Sequence, residues 1–189
     1  MSGSSGLDEG TLRRLRAIRF LLTDCDGVLT DAGVYYSARG EEMKRFSIRD
    51  GMGVERLRTL AGIGTGIVSG ESSGSTVRRA AKLEVTDLFL GVKDKTVPIR
   101  QLAVRHKLEM SEIAYIGDDV NDLPAMALVG YTACPADALP DVRRAVDYVC
   151  RHRGGQGAFR ELVELLIAAR REDEAARFAD SMSAEGGIQ

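Results

Sequence analysis

The chain predicts an α/β fold with a doubly wound, mainly parallel sheet, and three observations carry that reading. Short apolar runs alternate with segments of helical periodicity along most of the 189 residues. Two of those runs, residues 18–22 and 113–116, end in acidic turns, Asp24-Cys25-Asp26-Gly27 and Gly117-Asp118-Asp119. Near the C-terminus, Phe159, Leu162, Val163, Leu166 and Ile167 mark the strongest amphipathic helix, of the kind that covers a sheet face.

The length suits one domain with a substantial core. A net charge of -2 and few aromatics exclude the basic field and stacking platform of a nucleic-acid binder. No apolar run reaches the roughly eighteen residues of a membrane span, and Met1-Ser2-Gly3-Ser4-Ser5-Gly6 lacks the charged and apolar regions of a signal peptide. No membrane partner and a cytoplasmic location are therefore expected. Cys25, Cys134 and Cys150 read as small core residues rather than a disulfide set or zinc site.

In chain order, residues 1–10 are Ser/Gly-rich and are expected to be disordered outside a domain spanning 11–170. After the first strand and its acidic turn, Gly33-Val34-Tyr35-Tyr36 and Met43-Lys44-Arg45-Phe46 flank a polar segment, predicting a projecting β-hairpin over about 32–47. Asp50 is expected to cap a helix carrying Val54, Leu57 and Leu60, which leads into a strand over 64–68. A helix with Val77, Ala80, Ala81 and Leu83 and a strand Leu88-Phe89-Leu90 follow. Ile99, Leu102, Ala103 and His106 share one helical face, so His106 reads as a core or boundary residue rather than a base. Asp122 and Pro124 open a helix ending near Gly130, before strands Tyr131-Thr132-Ala133-Cys134 and Tyr148-Val149-Cys150. Residues 171–189 are expected to form a flexible, charged tail.

The acidic turns carry the chemistry. In open α/β sheets the ends of strands form the ligand crevice, and carboxylates crowded there need a cation such as Mg²⁺ to balance them. Taken alone, Asp24 and Asp26 read equally well as solvated turn residues. The second acidic turn, far away in sequence, favours one shared cation.

Together these segments resemble the haloacid dehalogenase (HAD) phosphohydrolases. The first motif of that superfamily corresponds to Asp24-x-Asp26-Gly27, and both forms of its fourth motif are present, as Gly117-Asp118-Asp119 and as Gly117-Asp118 with Asp122. Thr65-Gly66-Ile67-Val68-Ser69-Gly70 matches the second motif and Lys95 the third, with Lys93 a nearby rival. The resemblance implies a Rossmann-like fold and phosphomonoester hydrolysis through an aspartyl-phosphate. It casts Asp24 as nucleophile and Asp26 as acid and base. Asp24, the Asp26 carbonyl and Asp118 would hold Mg²⁺, with Asp119 and Asp122 behind them. Ser69, Gly70 and Lys95 would hold the phosphate.

The intervals between motifs leave no room for a cap domain. From about residue 18 to 167 the chain is similar to the capless group containing 3-deoxy-D-manno-octulosonate 8-phosphate phosphatase and its nine-carbon relative. Shared segments include Phe46-Ser47-Ile48-Arg49-Asp50-Gly51 and Arg153-Gly154-Gly155-Gln156-Gly157. That likeness implies a homotetramer acting on a phosphorylated sugar acid. Gly70-Glu71 stands where eight-carbon enzymes typically have Gly-Arg, and with Arg79 and Lys82 it resembles the nine-carbon specificity set. A 2-keto-3-deoxynononate 9-phosphate is therefore the expected substrate, with the eight-carbon ester as the alternative.

Two other classes share some of these features. A signalling receiver domain also joins strand-end aspartates, Mg²⁺, a Ser/Thr and a Lys, but it phosphorylates an Asp on its third strand and lacks a late Gly-Asp-Asp. A non-catalytic tetramerising module would not need Asp24, Asp26, Lys95 and Asp118, all of which are retained.

Overall fold

The computed structural model describes residues 7–185, with side chains apart from 174 and 176–185. Six strands form one parallel sheet: β1 (Phe20–Thr23), β4 (Gly64–Val68), β5 (Asp87–Phe89), β6 (Ile113–Ile116), β7 (Tyr131–Cys134) and β8 (Tyr148–Val149). Their spatial order is β5-β4-β1-β6-β7-β8, which puts the first strand at the centre and reverses direction of winding on either side of it. Strands β2 (Thr30–Ser37) and β3 (Gly40–Phe46) make a separate antiparallel hairpin. The strands of this hairpin run further than the sequence suggests, since Ser37 pairs with Gly40 and only Ala38 and Arg39 form the turn. A ribbon mostly wetted on both faces tolerates Glu41 and Glu42 within a strand.

Alternation along the central strands sorts the core into two layers. Leu21, Ala114 and Ile116 point to one face with helices α1 (Glu9–Ala17), α2 (Ile48–Ala61), α3 (Gly74–Lys82) and α7 (Ala158–Glu185). Leu22, Ile113 and Tyr115 point to the other, against α4 (Thr96–His106), α5 (Leu123–Met126) and α6 (Pro140–Ala145). Phe159, Leu162, Val163 and Leu166 are wholly buried on α7. His106 lies at the boundary, its ring against Phe20 and Nε2 2.9 Å from Asp87.

Three expectations need correction. Helix α1 begins at Glu9 with Asp8 as its cap, inside the stretch assigned to disorder, while residues 1–6 lie outside the described ones. Helix α7 continues to Glu185 rather than giving way to a tail at 171, because Ala, Glu and Arg propagate an established helix well; residues 186–189 lie outside the described ones. Ser47, not Asp50, caps α2. Asp50 is buried and its carboxylate accepts the amides of Gly157 (3.2 Å) and Arg160 (2.9 Å), so it caps α7 instead.

Candidate active site

The register of the sheet places the motif residues together. Thr23 is level with Ile67 on one side and Ile116 on the other, so the segments after β1, β4 and β6 emerge side by side. The Asp24 amide donates to the Ile116 carbonyl at 2.9 Å. Gly27 sits at φ +79°, and a Cβ there would stand 2.0 Å from an Asp118 carboxylate oxygen. Glycine thus lets the first acidic turn fold tightly against the second.

Lys95 precedes α4 and is 2% exposed, with Nζ 2.8 Å from Asp24 and 2.6 Å from Asp122. Burial works against its charge, but the two carboxylates outweigh it and hold its pKa above that of a free lysine. Lys93 is exposed. Asp122 is fully buried, and both its oxygens are engaged. The Tyr115 hydroxyl (2.7 Å) and Lys95 donate to Oδ1, while the amides of Asp118 (3.1 Å) and Asp119 (3.2 Å) donate to Oδ2. Asp122 therefore braces Lys95 and the second turn. Asp119 is exposed and caps the 3₁₀ turn over Val120–Asp122.

This donor set fits a divalent cation. Carboxylate oxygens of Asp24, Asp118 and Asp122 approach within 4.8 Å of one another. Asp118 Oδ1 is buried without a hydrogen-bond partner, the orphan oxygen that a metal ion would satisfy. Burial, reinforced by Asp24 and Asp122, pushes the Asp118 pKa up to about 8. Burial and Asp122 likewise raise Asp24, against the pull of Lys95. Hard oxygen ligands suit Mg²⁺.

Asp26 follows Asp24 by two residues on the first acidic turn, with a partly exposed side chain. Both its oxygens are 2.8 Å from Lys44 Nζ, donated from β3 of the hairpin. Sequence reading assigns Lys44 no role beyond the hairpin. Its signal is the two-residue strand period: Lys44 shares a face with Phe46, which packs on the core, so this lysine points inward.

Ser69 is buried, and its Oγ accepts the Glu71 amide at 3.2 Å; Gly70 follows it, exposed. The loop carrying Arg153 and Gly157 packs beneath the first turn, with the Gly155 amide donating to the Val28 carbonyl at 2.8 Å. Cys25 is a buried thiol 3.3 Å from the Thr76 hydroxyl, and burial lifts its pKa to about 12. It is thus inert packing, as are the free, buried Cys134 and Cys150.

Glu71, Arg79 and Lys82 do not converge in the same way. Arg79 stacks over Phe46 and donates to the Ser47 carbonyl at 2.7 Å. Arg79 and Lys82 line a cleft of about 360 Å³ between α2 and α3, which none of the acidic motif residues lines and which Glu71 does not reach.

Comparison with known proteins agrees with this geometry. Residues 81–162 match the family of haloacid dehalogenase-like hydrolases. The chain is 41% identical to 3-deoxy-D-manno-octulosonate 8-phosphate phosphatase of Haemophilus influenzae over 83% of this chain and 87% of that one. It is 38% identical to the Yersinia pestis enzyme of the same name, over 89% of each. A crystal structure of the Moraxella catarrhalis 8-phosphate phosphatase, in complex with magnesium, phosphate and KDO, is 31% identical; it covers 92% of this chain and 99% of that one, with a TM-score of 0.83.

These relatives lend no support to the expected nine-carbon preference: they are named as eight-carbon phosphatases, whereas this chain carries Glu71 rather than Arg after Gly70. Mg²⁺ is the cofactor that both the acidic cluster and the Moraxella complex support. The chain is a phosphatase and belongs to the haloacid dehalogenase-like hydrolases, in the capless group of 3-deoxy-D-manno-octulosonate 8-phosphate phosphatases.

Proposed function

We propose that this enzyme hydrolyses the phosphomonoester of 3-deoxy-D-manno-octulosonate 8-phosphate. The observation that carries the reading is end-to-end similarity to eight-carbon phosphatases combined with an acidic crevice braced by Lys95. Asp24 attacks phosphorus in line, and the P–O bond to the sugar breaks. Asp26 gives its proton to the departing alkoxide. Asp26 then takes a proton from the water that attacks the aspartyl-phosphate, which releases inorganic phosphate and restores Asp24. Lys95, Ser69 and the Gly70 amide hold the phosphoryl oxygens and keep Asp24 oriented. Asp24, the Asp26 carbonyl and Asp118 would hold Mg²⁺, which when bound would supply positive charge to offset that of the phosphoryl group.

A capless site is open to water, and the hairpin suits it for closure by a neighbouring subunit. Tyr35, Tyr36 and Met43 expose 60–70% of their surface on that ribbon, an apolar cost that supports self-association, proposed here as a homotetramer. The cytoplasm, where such an assembly would meet a sugar-acid phosphate, is the proposed location.

The test is Mg²⁺-dependent phosphate release from the eight-carbon and nine-carbon esters in parallel, with Asp24→Asn as blank. Preference for the eight-carbon ester is expected. Preference for the nine-carbon ester would overturn the substrate assignment, and release no faster than the blank from either would overturn the activity.

A further inference from the structure

We propose that Lys44 is a positioning residue for Asp26, an inference that rests on the acid–base reading of Asp26 above. The side chain of Lys44 is only 1% exposed, whereas that of Asp26, two residues after Asp24, is 23% exposed. An exposed ion pair would hold neither partner in one geometry, but a buried ammonium that meets both carboxylate oxygens at 2.8 Å sets the plane of that carboxylate. Among the described residues the other side-chain donor to Asp26 is the Thr30 hydroxyl, at 3.4 Å.

Lys44 is itself held from behind. Glu41 Oε2 lies 3.7 Å from Nζ, and Glu41 Oε1 accepts the hydroxyl of Ser73, the cap of α3. Glu41 thus ties the hairpin to the cap of α3, and Lys44 ties it to the first acidic turn. Among the described residues the carboxylates that Lys44 meets are Asp26 and Glu41, so its route to the reaction runs through Asp26. A carboxylate that must reach the ester oxygen and later a water needs a fixed direction, and misplacement by an ångström slows such transfers strongly.

The experiment compares wild type, Lys44→Met, Asp26→Asn and the double variant on an alkyl phosphomonoester and on p-nitrophenyl phosphate, whose leaving group departs without a proton. Lys44→Met should lower kcat on the alkyl ester about 10–100-fold, less than the roughly 10²–10⁴-fold that an acid–base group contributes because Asp26 is misaligned rather than removed, with KM nearly unchanged. The loss on the aryl ester should be several-fold smaller, the double variant should be no slower than Asp26→Asn, and Lys44→Arg should recover part of the rate.

Equal losses on both esters, multiplying losses in the double variant, or a raised KM at constant kcat would overturn the proposal. Lys44→Gln serves if the Met variant fails to fold. Full alkyl-ester activity in Asp26→Asn would sink the acid–base reading and this inference with it. Loss in Asp26→Asn with an unaffected Lys44→Met would sink this inference alone.

Discussion

Lys95 stands 2.8 Å from Asp24 with its side chain almost wholly enclosed, so the two charges meet with little water between them. Replacing it with Met removes the cation while Asp24 and Asp122 stay buried side by side. The expected result is a loss of about 10²–10³ in kcat, comparable with deleting one preorganised electrostatic donor. Steady-state phosphate release measures it, and activity within twofold of wild type would contradict the placement of Lys95.

Asp118 supplies the unpartnered oxygen of the acidic cluster. Chelation should abolish phosphate release, and added Mg²⁺ should restore it. Asp118→Asn should weaken Mg²⁺ binding about 10-fold or more, since one anionic ligand becomes a neutral amide. Titration calorimetry with Mg²⁺ alone measures this without reference to turnover. Unchanged affinity would remove Asp118 from the metal site.

The acidic turns are legible in the sequence because strand-end carboxylates interrupt apolar runs, and the parallel register then brings distant turns together. Lys95 is legible by its interval from residues 90–91, and it is the structure that separates it from Lys93, which is exposed while Lys95 is buried against Asp24 and Asp122. Lys44 escapes notice because a lysine in a polar ribbon looks solvated until Phe46 fixes the inward face. Asp50 reads as a local cap because its true partners, Gly157 and Arg160, lie more than a hundred residues away. Helix α1 buries only Leu15 fully, too short an apolar signal to stand out. For Glu71, Arg79 and Lys82, sequence spacing does not reveal that Arg79 turns toward Phe46 and Ser47.

Gly154 lies so near the first acidic turn that a Cβ on it would stand 1.8 Å from the Gly27 carbonyl oxygen. That obstacle is backbone, so Gly154→Ala must displace the turn carrying Asp26 and Gly27. Overpacking of this kind costs about 1–3 kcal/mol, read as a lower denaturation midpoint. Activity of the folded fraction should fall about 10-fold or more, because Asp26 moves with the turn. An alanine variant with unchanged stability and rate would show that the loop is free to retreat.

Asp147 ties helix α1 to the far edge of the sheet. It meets the Arg14 guanidinium through both oxygens, at 2.7 and 2.8 Å, and accepts the amide and hydroxyl of Thr132 at 2.9 Å. Burial opposes its charge, but Arg14 and Thr132 outweigh that and hold its pKa below the ordinary 3.8. Folding thus weakens its hold on a proton, and the stability it contributes is complete above the unfolded value and lost as pH falls through the lower folded one. At pH 7, Asp147→Asn should cost about 1 kcal/mol after allowance for solvent screening of the half-exposed Arg14. For a chain of this length that is a drop of about 2–4 °C in Tm. The gap between variant and wild type should narrow as pH drops below 3.8. Denaturation curves at pH 7 and at the lowest pH where both remain folded measure it, and a gap that widens on acidification would show that Asp147 folds protonated.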